Sequence, residues 1–323
     1  MMGLLSYAVF FTTVAAILAI AVLGLNLQWG NTGLFNGGVV AFFGAGAYGT
    51  LILGGTPQPD HLGGYGLIYP LALIGGMGAA GLLAWAVGVL TLRLRHDYFA
   101  IATFGIAVSF ENVMRNSEAL AGGAKGIRGF ERPLRDAFGD GFAYNLGFLA
   151  VVLILLGLTY WVLQRLVRGP FGRLLRAIRE DEEAARSLGK SPARIRLTAF
   201  VTGSVIMGLS GGLYATFYAF VSPQDILPTL TFQIWAMLIV GGAGNNRGAI
   251  LGTFVIWGAW TASGWALSRY APLEARLYTG SIQYILIGSV IVGMLLWRPQ
   301  GLLPERLVVS QSGQRAPATQ SGG

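Results

Sequence analysis

Side chains able to do chemistry are few in this chain, and their positions narrow what that chemistry is. Cysteine is absent, which excludes disulfides, thiolate nucleophiles and cysteine metal sites. The only histidines, His61 and His96, fall in short connections between apolar runs, so no metal site is expected. No P-loop glycine-lysine motif occurs, so the chain has no phosphate cradle of its own for ATP. Gly44, Gly46 and Gly49 have the spacing of a dinucleotide fingerprint, but they lie inside an apolar run where that motif needs a preceding strand. Close helix packing is the expected role there. The same holds for Ser204, Gly208 and Gly212, and for Gly248 and Gly252, each set spaced by four. Glu111, beside Asn112, is the acid nearest a membrane interior, and such an acid is by default a functional candidate. The short run Tyr98–Val113 puts it at an outer interface, within reach of Arg115. No paired carboxylates and no Ser/His pair suggest catalysis, so no catalytic residue is assigned and an enzyme is not expected.

One segment concentrates charge. Gly169–Arg196 holds Arg173, Arg176, Arg179, Arg186, Lys190, Arg194 and Arg196 with the acids Glu180, Asp181, Glu182 and Glu183. Pro170 suits a first helical turn, Gly189 the left-handed residue after a helix, and Ser191-Pro192 the start of the next one. The spacing predicts one helix over Arg173–Leu188 with a narrow apolar stripe of Leu174, Ile178, Ala185 and Leu188. Such a helix has no evident core of its own, and a separate docking partner is the expectation.

The elements that must hold these residues are membrane helices. Of the 323 residues 54% are hydrophobic and 11% charged, against roughly 25% charged in soluble domains. The net charge of +8 is not a nucleic-acid face: no Lys or Arg precedes Arg93, and the later ones gather between apolar runs. The uncharged start does not fit a signal peptide, so Leu4–Leu25 reads as a retained span. Further apolar segments are Gly33–Leu53, Leu67–Leu92, Tyr98–Val113, Phe142–Leu163, Leu197–Phe220, Phe232–Val240, Ile250–Leu267 and Leu277–Trp297. The fold class is therefore all-α and polytopic, with about nine segments (eight to ten), of which Gly33–Leu53 and Phe232–Gly248 are candidates for broken or re-entrant helices. Residues 1–304 form one membrane domain containing the 169–196 loop, and the polar tail 305–323 is expected to be disordered. With Arg165–Arg196 in the cytoplasm, Arg93–Asp97 and the C-terminal Arg298, Arg306 and Arg315 fall there too. Gly54–Gly66 and Ser222–Thr231 fall outside, and so does Met114–Gly141 despite its five basic residues, the poorest fit of the set.

Glu183-Ala184-Ala185-Arg186-Ser187-Leu188-Gly189 resembles the EAA loop of ABC-importer permeases, although Thr198 follows Ile195-Arg196-Leu197 where the widest form of that motif has proline. Five further segments are similar to the branched-chain amino-acid (LivM-type) permeases. They are Asn31–Tyr48, Leu92–Thr103, Ala121–Ile127, Val240–Gly248 and Trp297–Leu302, in the family's order. Phe35–Gly37 departs from the family's serine, leucine and histidine, and His96 stands where glycine is general.

The resemblance implies a permease of the bacterial or archaeal plasma (inner) membrane with a cytoplasmic C-terminus. Its implied partners are two ATP-binding subunits, a second related permease and a periplasmic or lipid-anchored binding protein. No cofactor would be bound directly; ATP would be used by the partner subunits. Arg173, Arg176, Ile178, Glu183, Ala184, Ala185, Leu188 and Gly189 are then the candidates for coupling to the ATPase. From position, Asn31, Asn36, Phe43, Tyr48, Tyr98, Thr103 and Glu111 are the candidates for the substrate path. Leucine, isoleucine and valine lead as substrates, with urea, short amides or other amino acids as alternatives. The rival class is an ion-coupled carrier, which calls for mid-membrane ionisable residues or an inverted repeat.

Overall fold

The computed structural model describes residues 2–305 apart from 58–62, 95, 129–131, 134, 140, 271, 273–275 and 277. His61, Arg306 and Arg315 and nearly all of the expected tail lie outside the described residues. Helices dominate, as a chain with few charges and long apolar runs requires in a medium that leaves no backbone group unpaired. In order they are α1 (Met2–Leu25), α2 (Val39–Gly54), α3 (Tyr69–Thr91), α4 (His96–Asn116), α5 (Glu118–Ala121), α6 (Arg135–Phe138) and α7 (Phe142–Arg168). There follow α8 (Pro170–Glu180), α9 (Glu182–Ser187), α10 (Pro192–Tyr218), α11 (Pro228–Gly241), α12 (Asn246–Tyr270) and α13 (Thr279–Trp297). Among the described residues six helices are long and apolar enough to cross a bilayer: α1 with its extension to Gly30, α3, α7, α10, α12 and α13.

The remaining three apolar elements differ from expectation in instructive ways. Gly33–Leu53 is helical only from Val39, and α2 has 16 residues, about 24 Å, while α11 has 14, about 21 Å. Both fall short of a ~30 Å hydrocarbon core. The extended lead into α2 is satisfied by side chains: the Gly37 N–H donates to Thr103 Oγ1 (3.0 Å), Gly38 to Asn36 Oδ1 (2.7 Å) and Val40 to Thr231 Oγ1 (3.2 Å). Conversely α4 is longer than Tyr98–Val113, running 21 residues or about 32 Å, because Asp97 at its start and Arg115 at its end complement the helix dipole.

Helices α2, α3 and α10 form the centre, with α1 against α10. Small residues make this possible. Gly46 faces Gly208, Gly49 faces Gly76, and a Cβ at Gly24 would sit 2.5 Å from the Gly203 carbonyl oxygen. The glycine spacing in α2 is thus helix packing, as expected, and Gly248 and Gly252 likewise close on Gly241.

Two ends can be told apart. At one, β1 (Ile127–Arg128) pairs antiparallel with β2 (Phe220–Val221), joining the connection after α4 to the one after α10. Ile127–Arg128, within Met114–Gly141, therefore shares an end with the connection after α10, as the charge-based topology expects despite the basic residues. At the other, basic end, Leu302 and Leu303 N–H groups donate to the Val240 and Gly241 carbonyls (2.9 and 3.0 Å). This brings the C-terminal segment onto the α11–α12 turn.

Candidate functional site at the basic end

Helix α1 does not stop at Leu25 but widens into a π-helical turn, Asn26–Gly30, followed by Asn31 and Thr32. Apolar sequence carries α1 to the basic end, and polar residues there need partners because all are buried. Asn26 donates to Asn246 Oδ1 (2.8 Å) and accepts from the Gly244 N–H (2.8 Å). Gln28 donates to the Phe200 carbonyl (2.7 Å) and Ser204 Oγ (3.0 Å), and accepts from the Asn36 amide (2.8 Å). The Asn36 carbonyl in turn accepts from Trp235 Nε1 (3.0 Å). One turn of α1 is thereby knotted to α10, α12, α11 and the lead into α2. Over this knot lie three rings: Trp235 is 4.0 Å from Phe35 and 4.6 Å from Trp29 between centroids. Phe35 is 45% exposed and forms their outer edge. A shallow pocket beside it is lined by Leu34, Phe35, Leu92, Leu94, Phe99 and Arg196.

The charged segment is two helices rather than one. Asp181 adopts extended backbone (φ −151°, ψ 106°), and its carboxylate accepts from the Glu183 and Ala184 N–H groups at 2.9 and 3.0 Å. An aspartate satisfying two free N–H groups at a helix start is a better arrangement than a fourth acid inside a continuous helix. Gly189 is left-handed (φ +74°), as its spacing implied. Ser191 precedes α10 in the cap position, without a side-chain cap bond, and Pro192 occupies the first turn.

The expected apolar stripe also needs correcting. Leu175, one residue on from Leu174, is the fully buried leucine, and Ile178 and Ala185 are only 3% and 5% exposed. Helix α8 packs on α7, so the pair does have a core to lie on, and Ile178 and Ala185 supply no docking area. What stands outside is Arg173, Glu183, Ala184, Gly189 and Leu188, which is 80% exposed. The pair is fixed by ions: Glu182 takes Arg186 at 3.1 Å and Arg196 at 2.6 Å, and Arg179 reaches Glu305 at 2.9 Å. Arg179 also donates to the Gly30 carbonyl. Glu305, placed by sequence in the tail, is instead part of this site.

The path candidates divide. Asn31, Asn36, Phe43, Tyr48 and Thr103 are buried. Asn31 donates to the Asn26 carbonyl (3.0 Å), Phe43 packs edge-on to Tyr214 (5.4 Å), and Thr103 braces Gly37. Tyr98, at 64% exposure, stands on the surface. Glu111 is buried near the end of α4 and ion-paired with Arg115, as expected. Sequence reading missed Asn26, Gln28, Ser204, Trp235 and Asn246 as a unit. The polar patch of Asn26, Gln28 and Asn31 closing an apolar run was the available signal.

With these features in place, comparison with known proteins is decisive. A family model described as branched-chain amino acid transport system / permease component matches residues 7–295. The chain belongs to this family. It is 34% identical over 313 residues to the high-affinity branched-chain amino acid transport system permease protein LivM of Escherichia coli K12, covering 90% of this chain and 69% of that one. It is 26% identical over 324 residues to a probable branched-chain amino acid transport permease LivM of Methanocaldococcus jannaschii, covering 89% and 90%. A shorter match, 30% over 186 residues, links it to the autoinducer 2 import system permease LsrC of Klebsiella pneumoniae, covering 55% of this chain and 51% of that one. No solved structure matches. In the permease, the segments Asn31–Tyr48 and Val240–Gly248, far apart in sequence, meet around Asn26, and Trp297–Leu302 closes on the second of them.

Proposed function

We propose that this permease is one half of the membrane channel of an ATP-driven importer that carries leucine, isoleucine and valine. A second, related permease would complete the channel, a binding protein would deliver the amino acid to the outer end, and two ATP-binding subunits would seat on α8 and α9. The observation that carries this reading is the exposed tip of that helix pair. Glu183, Ala184, Leu188 and Gly189 project from a pair whose other face is anchored in the chain. A helix pair held on one side and bare on the other suits transmission of rigid-body motion from a partner. The exposed charges Arg173 and Glu183 would set fit and orientation.

The family and the helix lengths support a polytopic membrane protein, and nine crossings is our reading of it: the six long helices with α2, α4 and α11. Nine crossings with the basic end in the cytoplasm put the C-terminus inside and the N-terminus outside.

Co-purification tests the assignment: two distinct ATPase chains should accompany the tagged permease from its native host. Proteoliposomes holding that complex and its binding protein should take up labelled leucine only with ATP inside. Glu183→Lys should lower uptake at least tenfold while leaving membrane insertion intact; normal coupling in that variant would sink the docking role.

A further inference from the structure

The importer reading requires that motion of α8 and α9 reach the membrane helices, and on that reading the described residues give the helix pair two ionic exits. Glu182–Arg196 spans only 14 residues and ties α9 to the α10 that follows it. Arg179 is different. Its acceptors, the Gly30 carbonyl and Glu305, lie 149 and 126 residues away. A planar guanidinium holds both at once through donors set in a rigid fork, a geometry that a point-like ammonium does not reproduce. Its stem also lies on Gly33, where a Cβ would come within 3.1 Å of Arg179 Cγ. Glu305 in turn lies against Gly244, where a Cβ would sit 2.8 Å from its carboxyl carbon, and Gly244 donates to Asn26.

We propose that Arg179 is the positioning residue through which displacement of the helix pair loosens the α1 polar knot and unseats the Trp29–Phe35–Trp235 rings. The route is short and continuous. Gly30 closes the π-helical turn, and single π-turns are frequent at functional sites. Gln28, two residues back, holds α10 through Phe200 and Ser204 and holds Asn36, whose carbonyl holds Trp235. Moving Gly30 therefore shifts the hinge on which the ring cluster hangs. The C-terminal segment moves with it, through Glu305.

The chain has no cysteine, so a single introduced thiol reports cleanly. Ser204 touches Gln28, whereas Ser210, on the same helix, donates to the Ile17 carbonyl at 2.6 Å, away from the knot, and both are fully buried. In the purified complex without nucleotide, S204C and S210C should both resist a small maleimide. Adding R179Q should raise labelling of S204C at least tenfold and leave S210C within twofold. R179K, which keeps the charge but loses the forked donor geometry, should raise it at least threefold, and decides the matter should R179Q fail to assemble. In proteoliposomes R179Q should cut uptake at least tenfold while binding-protein-stimulated ATP hydrolysis stays within twofold. An unchanged S204C rate, an equal rise at both thiols, or hydrolysis falling in step with uptake would each overturn the proposal. If the complex with native Arg179 shows no ATP-driven uptake, the importer reading fails, yet the labelling pair still decides what Arg179 does.

Discussion

Gln28 illustrates how much one buried amide can be asked to do. It satisfies a carbonyl of α10, a hydroxyl of α10 and the amide of Asn36. Gln28→Leu keeps its bulk but strands the Asn36 amide hydrogens and removes the partner of the Ser204 hydroxyl. A buried polar group left without its partner costs about 1–3 kcal/mol, so the variant should lose on the order of 3 kcal/mol. A drop of several degrees in the thermal midpoint in detergent would show it. Glu111 makes the opposite case. Its partner Arg115 sits one turn along the same helix and is half exposed, so the pair is local to α4. Glu111→Gln should leave leucine uptake within threefold, whereas a carboxylate acting in translocation would lose far more. Side-chain type alone flagged Glu111 and passed over Gln28. It could not rank them, because the partners of Gln28 lie 172 and 176 residues away while that of Glu111 is its neighbour.

Among the elements, those with a long apolar run were legible, since length against bilayer thickness is a nearly sufficient signal for α1, α3 and α7. Small-residue spacing also spoke plainly: Gly46 and Gly208 are paired contacts between α2 and α10. Gly46→Leu would drive a side chain into the Gly208 backbone and should abolish accumulation of folded permease. Gly78→Ala, with open space around its added methyl, should be tolerated. The charged segment was read at too coarse a scale. A run of four acids is compatible with helix by propensity, and only the carboxylate of Asp181 turning back on two N–H groups breaks it. That distinction is testable. Asp181→Asn can still cap and should retain most uptake, while Asp181→Ala loses about 1 kcal/mol of α9 stability and should depress uptake more strongly. The one-residue shift from Leu174 to Leu175 has the same root, because the face a short helix buries is chosen by α7 and not by its own periodicity.

For the whole molecule, charge placement and tertiary pairing agree. The β1–β2 ladder puts two connections at one end, and the Arg179–Glu305 pair puts the charged helices and the C-terminal segment at the other. In intact cells of a cytoplasmic-membrane host, an impermeant maleimide should therefore label Lys125→Cys from outside and spare Ser187→Cys, with the reverse in inside-out vesicles. Labelling of both from one side would invert or break the topology. Which connections share an end was readable because basic residues are confined to few of them; the ties across the basic end were not, because they are made by residues from opposite ends of the chain.

The bond from Asn26 to Asn246 spans 220 residues. During synthesis at about 5–20 residues per second, α1 must then wait roughly 10–40 s before α12 exists to complete it. For that interval Asn26 stands at the edge of the lipid with its final partner unmade, whereas Gln28 waits only for α10. The first helix to emerge is thus the last to be finished. Premature termination anywhere before α12 would leave the Asn26 amide without its partner, a mark that quality-control proteases acting on unassembled spans could read.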